Sequence, residues 1–189
     1  CSNSASFSLC PQAQTNLCSF MLVASMNPCP CGYYNDPNHH CTCTPTQVQR
    51  YKSKISGPLL DRIDIQIEVA PVSVTELARA PKGEPSASIR ERVIAARAIQ
   101  TERYKNEHGV HCNAQMSRAM IEQFAQLDAE AAQSLQRAMR RLDLSARAYD
   151  RILKVARTIA DLDASPQIAA RHIKEAIGYR SLDRGDWGE

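Results

Sequence analysis

The sequence predicts an α/β fold in two parts, an incomplete parallel sheet followed by an all-helical bundle. Residues 20–26 form an apolar run without alternation, which is typical of a strand covered on both faces; a short buried helix is the alternative. Residues 63–69 alternate isoleucine or valine with polar residues, which favours a half-exposed strand. From Ser86 onward, apolar residues recur at helical spacing. We therefore divide the chain into residues 1–70 and residues 71–189.

Composition places the chain among ordinary globular proteins. It has 189 residues, of which 43% are hydrophobic and 23% charged, enough for one large domain or two small ones. The net charge of +3 permits a nucleic-acid partner without predicting one. No apolar run approaches the roughly 20 residues of a membrane span, and residues 1–19 lack the features of a signal peptide. We expect no membrane partner and a cytoplasmic, reducing location.

Asn27 follows directly after the first predicted strand. Ligands of open α/β sheets bind at the carboxyl ends of the strands, so a polar side chain here is placed to contact a ligand or a water. The alternative is that Asn27 and Pro28 simply open a turn. Position alone does not decide between the two.

Four cysteines form the main candidate metal site. Cys29 and Cys31 make one C-x-C pair and Cys41 and Cys43 make another, separated by nine residues. Four thiolates satisfy tetrahedral zinc and leave no open position, which indicates a structural site. Two disulfides across the loop are the alternative, and a reducing location favours zinc.

Capping residues predict where the helices begin and end. Thr44 and Pro45 begin a polar helix that ends before residues 57–58, and the later helices are predicted from Ser86 to before Gly109, over 117–124, after Asp128, after Ser145 and over 169–177. The predicted buried faces of three of them are Ile89, Val93, Ala96, Gln100 and Tyr104; then Ala131, Leu135, Ala138, Met139 and Leu142; then Ala148, Ile152, Val155, Ala156 and Ile159.

Two arginines stand out by position. Arg62 precedes the second predicted strand and lies between Asp61 and Asp64. If it has no functional role, we expect it to form a surface ion pair with one of them, worth under about 1 kcal/mol. Arg147 falls in the first turn of a predicted helix, where a cation opposes the helix dipole unless it reaches an anion.

From charge and position in the sequence, an ion pair of Arg147 with Asp143 or Asp150 is favoured over binding of an anion. Further along the same helix, Arg151, Lys154 and Arg157 are interpreted as a solvated face, with a nucleic-acid stripe as the alternative.

Four stretches together resemble one protein family. They are FMLVASMNPCPCGY at 20–33, CTCTP at 41–45, SGPLLDRID at 56–64 and SARAYDRILKVARTIADL at 145–162. The chain resembles, over about residues 20–184, the C-terminal half of the bacterial magnesium-chelatase-like AAA+ ATPases of the ComM/YifB type. The resemblance implies a partial AAA+ P-loop core, with an incomplete parallel sheet, followed by a helical lid.

The resemblance also implies roles for the candidate residues. Asn27 matches the sensor-1 position, which orients the attacking water, and Arg62 matches the arginine finger offered to the nucleotide of a neighbouring subunit. Arg147 matches the sensor-2 arginine of the lid, and the cysteines match a zinc-binding insert. The implied cofactors are ATP, with magnesium in the intact protein, and zinc.

The implied partners are further copies of the chain in a ring, expected to be a hexamer, and DNA. The ComM type resembles ring helicases that act in branch migration during natural transformation. Two alternatives remain: a non-catalytic, zinc-stabilised interaction module, and the ATPase subunit of a metal chelatase, which lacks the four-cysteine insert.

The sequence departs from the family in one respect. It contains no G-x-x-x-x-G-K-[S/T] motif, and no acidic strand end precedes Asn27. The chain taken alone is therefore not expected to hydrolyse ATP. Residues 1–19 do not match the family, and the chain is interpreted as a piece of a longer protein or a truncated or frame-shifted product.

Overall fold

The computed structural model describes residues 21–70, 72, 78, 83–142 and 144–180, and their regular structure is helical. The helices are α1 (Pro45–Lys52), α2 (Gly57–Leu60), α3 (Ser86–Arg103), α4 (Arg118–Phe124), α5 (Ala129–Arg141), α6 (Ala146–Leu162) and α7 (Ala170–Gly178). A 3₁₀ helix, Asn113–Gln115, lies between α3 and α4. None of the described helices is both long and apolar enough to cross a bilayer.

Short polar side chains begin four of these helices, as the sequence predicts. Thr44 caps α1 in a reciprocal capping box, in which its backbone N–H donates to Gln47 Oε1 at 2.8 Å. Ser117, Asp128 and Ser145 each accept a hydrogen bond from the backbone N–H three residues later. The predicted starts of α1, α4, α5 and α6 are therefore confirmed.

The hydrophobic core lies around α6. This helix packs against α3, the 3₁₀ helix, α4 and α7, while α5 packs on α7. Ile152, Ala156 and Ala160 of α6 are fully buried, as are Leu135 of α5 and Ile173 of α7. Burying a leucine or isoleucine side chain stabilises a fold by about 1.5–3 kcal/mol, so this contact surface fixes the orientation of α6.

The predicted buried faces of the helices are correct for residues near the core and wrong for residues further from it. Ala96, Gln100 and Tyr104 are buried as expected, but Ile89 and Val93 are 42% and 47% exposed. The first turns of α3 therefore carry apolar side chains that the described core does not cover. On α5 and α6 the buried members of the predicted faces are Ala131, Leu135, Ala148, Ile152, Ala156 and Ile159, and the remaining members are half-buried.

The predicted sheet is absent from the described residues. Residues 21–26 have no regular secondary structure and are exposed, Met21 by 88% and Val23 by 83%; Phe20 lies outside the described residues. Residues 63–69 contain one isolated parallel bridge, from Gln66 to Arg180. A parallel strand is stabilised by neighbouring strands and covering helices. Within the described residues no strand lies beside either stretch.

The predicted alternation of buried and exposed residues at 63–69 is wrong, because every residue of the stretch except Ile63 and Gln66 is exposed. Gln66 is buried, whereas Ile65 and Ile67 are 54% and 66% exposed. Residues 1–19, and most of the expected domain junction around residue 70, lie outside the described residues.

Candidate metal centre and arginine-bearing segments

The four predicted cysteines lie together. The Sγ atoms of Cys29 and Cys31 are 3.3 Å apart, those of Cys31 and Cys41 are 3.5 Å apart, and those of Cys29 and Cys41 are 3.8 Å apart. All four Sγ atoms, including that of Cys43, lie within 4.8 Å of one another. A tetrahedron with Zn–S bonds of about 2.3 Å places its sulfurs roughly 3.8 Å apart. The cluster therefore has the size that a zinc ion requires.

The same distances bear on the disulfide alternative. The cysteines of the cluster are free, and even the shortest separation, 3.3 Å, exceeds the roughly 2.05 Å of a sulfur–sulfur bond. Cys29 is fully buried and its three companions are half-buried, so the cluster is shielded on one side only.

The thiols of the cluster differ in how readily they ionise. A hydrogen bond from the Tyr33 backbone outweighs burial and lowers the pKa of Cys31 to about 5. The Cys43 backbone has the same effect on Cys41, but burial and the Cys31 and Cys29 thiols outweigh it and raise the pKa of Cys41 to about 12. The pKa of Cys43 is raised in the same way. Ionisation of one thiol therefore disfavours ionisation of its neighbours, because their negative charges repel. A bound divalent cation would remove this repulsion.

A tight loop joins the two cysteine pairs. Gly32 has a φ of 87° and its N–H donates to the Cys29 carbonyl at 3.1 Å, so the turn that brings Cys31 back toward Cys29 requires glycine. A Cβ at Gly32 would lie 3.7 Å from Asn27 Nδ2. The exposed side chain of Asn27, the predicted sensor residue, therefore lies beside the loop that carries the cysteines.

The loop rests against α1. Lys52 Nζ lies 4.9 Å from the centre of the Tyr34 ring. An open groove runs between the cysteine pairs and this helix, and its lining includes Cys31, Cys43, Arg50 and Lys54. Arg50 and Lys54 therefore place positive charge beside the cysteine cluster.

Arg62 lies in the turn after α2. It is exposed, and its Nη1 donates to the Pro58 carbonyl four residues earlier at 2.8 Å. The alternative of a surface ion pair with Asp61 or Asp64 does not occur. Arg151 pairs with Asp64, and Asp61 faces Ser145 and Arg180.

Arg147 is exposed in the first turn of α6. Asp150, one of its two predicted partners, instead pairs with Arg118 at 2.5 Å, and Asp143 lies outside the described residues. Ser145, which caps α6, has its Oγ 3.5 Å from Asp61 Oδ2. Arg147 and Arg62 thus belong to touching segments, while no hydrogen bond within the described residues joins Asn27 to either arginine.

The interpretation of α6 as carrying a solvated basic face is wrong at Arg157. Arg157 is 2% exposed, and its Nε donates to Asp161 Oδ1 at 3.1 Å. Asp161 also accepts from Arg103 Nη1 at 2.7 Å and from Asn113 Nδ2 at 2.8 Å. The i, i+4 spacing of an arginine and an aspartate on one helix was the available signal, but it does not distinguish a buried pair from an exposed one.

Asp161 stays ionised in this buried cluster. Burial alone would raise the pKa of its carboxyl, but the hydrogen bonds from Arg103 and Asn113, with the charges of Arg103 and Arg157, outweigh burial and lower the pKa. The other two members of the basic face also have specific partners, since Lys154 donates to the Ala114 carbonyl at 2.9 Å and Arg151 pairs with Asp64.

A second contact that the sequence does not indicate joins the end of α7 to the Arg62 segment. Arg180 is 1% exposed and its Nη1 donates to the Ile63 carbonyl at 2.6 Å. The Gln66 N–H donates to the Tyr179 carbonyl at 2.7 Å. A separation of 117 residues places this pair beyond any local pattern.

Comparison with known proteins matches two family descriptions to this chain. "Magnesium chelatase, subunit ChlI C-terminal" matches residues 83–180, which include α3 to α7. "Magnesium chelatase, subunit ChlI" matches residues 7–77, which include the cysteine cluster and Arg62. Because this match begins at residue 7, the expectation that residues 1–19 do not match the family is wrong from residue 7 onward.

Curated relatives are similar over most of this chain but extend well beyond it. The protein YifB of Escherichia coli, which is uncharacterized, is 43% identical over 87% of this chain and 31% of its own length. The competence protein ComM of Haemophilus influenzae is also 43% identical, with the same coverage of both chains. An uncharacterized protein of Mycobacterium tuberculosis is 34% identical over 85% of this chain and 31% of its own length. The chain therefore spans about a third of the length of these relatives.

Proposed function

The chain belongs to the magnesium chelatase subunit ChlI family, and from that membership we propose that it is the sensor and lid region of a ring-forming AAA+ ATPase. In this proposal residues 1–70 belong to the nucleotide-binding core, and residues 71–189 form the lid. The observation that carries the proposal is that two arginines, Arg62 and Arg147, are exposed on segments that touch through Asp61 and Ser145.

Arg62 is proposed as the arginine finger. The side chain is exposed and its one hydrogen bond goes to a local carbonyl, so it can reach an anion outside its own subunit without breaking an ion pair within the described residues. A guanidinium that stabilises the charge of a phosphoryl-transfer transition state contributes about 10³ to 10⁵ in rate.

Arg147 is proposed as the sensor-2 arginine, which binds nucleotide phosphate. A cation in the first turn of α6 opposes the helix dipole, and a phosphate group would reverse that unfavourable interaction. Asn27 is proposed as sensor 1, which orients the attacking water. Residues 21–26 and 63–69 are proposed to pair into the core sheet when its other strands are present, which would cover their exposed apolar side chains.

The cysteine cluster is proposed to hold a structural zinc. Cys29, Cys31, Cys41 and Cys43 would supply all four ligands, which leaves no position for a reacting water. The bound ion would fix the loop beside which Asn27 lies. Binding of zinc to such sites contributes on the order of 10 kcal/mol to the ordering of the peptide around it.

DNA is the proposed substrate, and a ring of identical subunits, expected to be a hexamer, is the proposed assembly. The resemblance to ComM-type proteins supports both. ATP with magnesium would be bound where a phosphate-binding loop meets Arg147 of the lid and Arg62 of a neighbour.

The experiment measures ATP turnover, with and without DNA, in the full-length polypeptide that joins these residues to a phosphate-binding loop. Arg62→Ala should lower kcat by about 10³-fold or more while nucleotide binding persists. Arg137→Ala is the matched control, since Arg137 is also exposed and donates to the carbonyl four residues earlier, that of Gln133. Normal turnover in Arg62→Ala would refute the finger role, and turnover that ignores DNA would remove the helicase assignment.

The second candidate is a non-catalytic interaction module stabilised by zinc. The size of the cysteine cluster fits it, since the cluster alone could hold a structural zinc without any nucleotide. Zinc-dependent folding combined with no nucleotide binding by the full-length polypeptide would select this candidate.

A further inference from the structure

The segment that carries Arg62 is held by the helical part of the chain on both sides of the arginine. Asp61 Oδ2 lies 3.5 Å from Ser145 Oγ, and Asp61 Oδ1 lies 3.9 Å from Arg180 Nη2. The Ile63 carbonyl accepts from Arg180 Nη1 at 2.6 Å. Arg180 therefore contacts the residue before Arg62 and the residue after it.

Two further contacts extend this attachment along the segment. Asp64 pairs with Arg151 of α6. The Gln66 N–H donates to the Tyr179 carbonyl at 2.7 Å, and Gln66 Nε2 donates to the Leu60 carbonyl at 3.1 Å. The second bond joins the two ends of the segment, residues 60 and 66.

Two of the residues that hold the segment are buried, whereas Arg62 itself is exposed. Arg180 is 1% and Gln66 4% exposed, whereas Arg62 is exposed. A buried guanidinium that donates to a carbonyl and faces a carboxylate is a strong anchor, because its charged hydrogen bonds are shielded from water. The fixed side chains define the backbone on either side of Arg62.

We propose that Arg180 is the positioning residue for Arg62: it ties the finger segment to the end of α7, so that the proposed finger and the helical lid move as one body. The functional half of this inference rests on the proposed role of Arg62. Through Ser145, Arg151 and Arg180, a displacement of α6 when Arg147 binds nucleotide would be carried to Arg62.

Hydrogen exchange of the 189-residue chain tests the attachment without any catalysis. Arg180→Ala should accelerate exchange of the Gln66 amide about 10- to 100-fold, the factor that corresponds to losing hydrogen bonds made by a charged group. The Ile152 and Ala156 amides, at the centre of α6, should keep their protection. Arg171→Ala is the matched control, since Arg171 lies on α7 but pairs with Asp163 at 3.2 Å.

A second variant guards against global unfolding. Arg180→Lys keeps the positive charge and most of the volume but cannot donate to Ile63 and face Asp61 with two separate nitrogens. It should also accelerate Gln66 exchange while α6 stays protected. Unchanged protection of Gln66 in both variants would overturn the proposal. Equal loss of protection throughout α6 would overturn it too, because Arg180 would then support the whole core rather than this segment.

Turnover of the full-length polypeptide tests the functional half. Arg180→Ala should lower kcat, by less than Arg62→Ala does, and leave KM for ATP unchanged, because an arginine finger stabilises the transition state rather than the bound ATP. An unchanged kcat alongside faster Gln66 exchange would overturn the positioning role. If Arg62→Ala itself leaves turnover intact, the finger assignment fails, and the exchange result still decides whether Arg180 holds the segment.

Discussion

Replacing Asp161 with alanine should destabilise the chain more than any substitution of an exposed ion pair. Asp161 accepts four hydrogen bonds, two from Arg103, one from Asn113 and one from Arg157. The Arg157 side chain is 2% exposed and the Arg103 side chain 14%, so neither guanidinium can recover full hydration when the carboxylate is removed.

The magnitude follows from the cost of leaving a buried charge uncompensated. Removing one partner of a buried ion pair costs about 3–5 kcal/mol. Whole domains are stable by only about 5–15 kcal/mol, so the variant should lose a large share of its stability.

Urea unfolding followed by circular dichroism measures this cost, and the chain offers a matched control. Arg118 and Glu122 of α4 repeat the i, i+4 arginine–carboxylate spacing of Arg157 and Asp161, with side chains 59% and 70% exposed. Glu122→Ala should change the free energy of unfolding by about 0.5 kcal/mol or less. Equal losses in Glu122→Ala and Asp161→Ala would refute the argument that burial makes the Asp161 cluster costly to break.

Two further predictions concern the metal centre and pH. Cys41→Ser should abolish binding of about one zinc per chain, measured by metal analysis. Cys112→Ser, which alters a free cysteine outside the cluster, should retain the zinc. Absence of zinc from the parent chain would refute the metal proposal. Stability should fall in acid, because the pKa of Asp161 is lowered by Arg103 and Asn113 against burial, and that of Asp163 by His172 and Arg171. Their contribution is complete above about pH 4 and is lost as pH falls through the lower folded-state pKa values. Urea midpoints measured across this range should decline less steeply in Asp161→Ala; identical slopes would contradict the assignment.

The features predicted correctly from the sequence are those set by neighbours along the chain. Thr44, Ser117, Asp128 and Ser145 each satisfy a backbone N–H within three residues, so the start of each helix is encoded locally. The cysteine cluster needs only a loop short enough to bring two C-x-C pairs together, which Gly32 begins.

The features predicted wrongly depend on partners distant in sequence. Residues 21–26 have strand composition, but a strand forms only where another strand accepts its hydrogen bonds. The sequence predicts a surface cation at Arg157, but Arg157 is buried and donates to Asp161 and to the Ser165 and Pro166 carbonyls after α6. Asp161 in turn accepts hydrogen bonds from Arg103 and Asn113, which lie on other elements. Ile89 and Val93 have helical spacing, yet the core ends before it reaches them.

The contacts that flank Arg62 also limit how the length of this stretch can vary. Residues 61, 63, 64 and 66 each bind α6, the Ser145 cap of α6 or the two residues that follow α7, and Arg62 is exposed between them. A segment one residue longer could reach the Asp61 contacts or the Gln66 contacts, but not both, since its other end would be out of register. Substitutions at Arg62 can leave the backbone intact, whereas insertions and deletions cannot. Related sequences should therefore keep the length of this stretch unchanged.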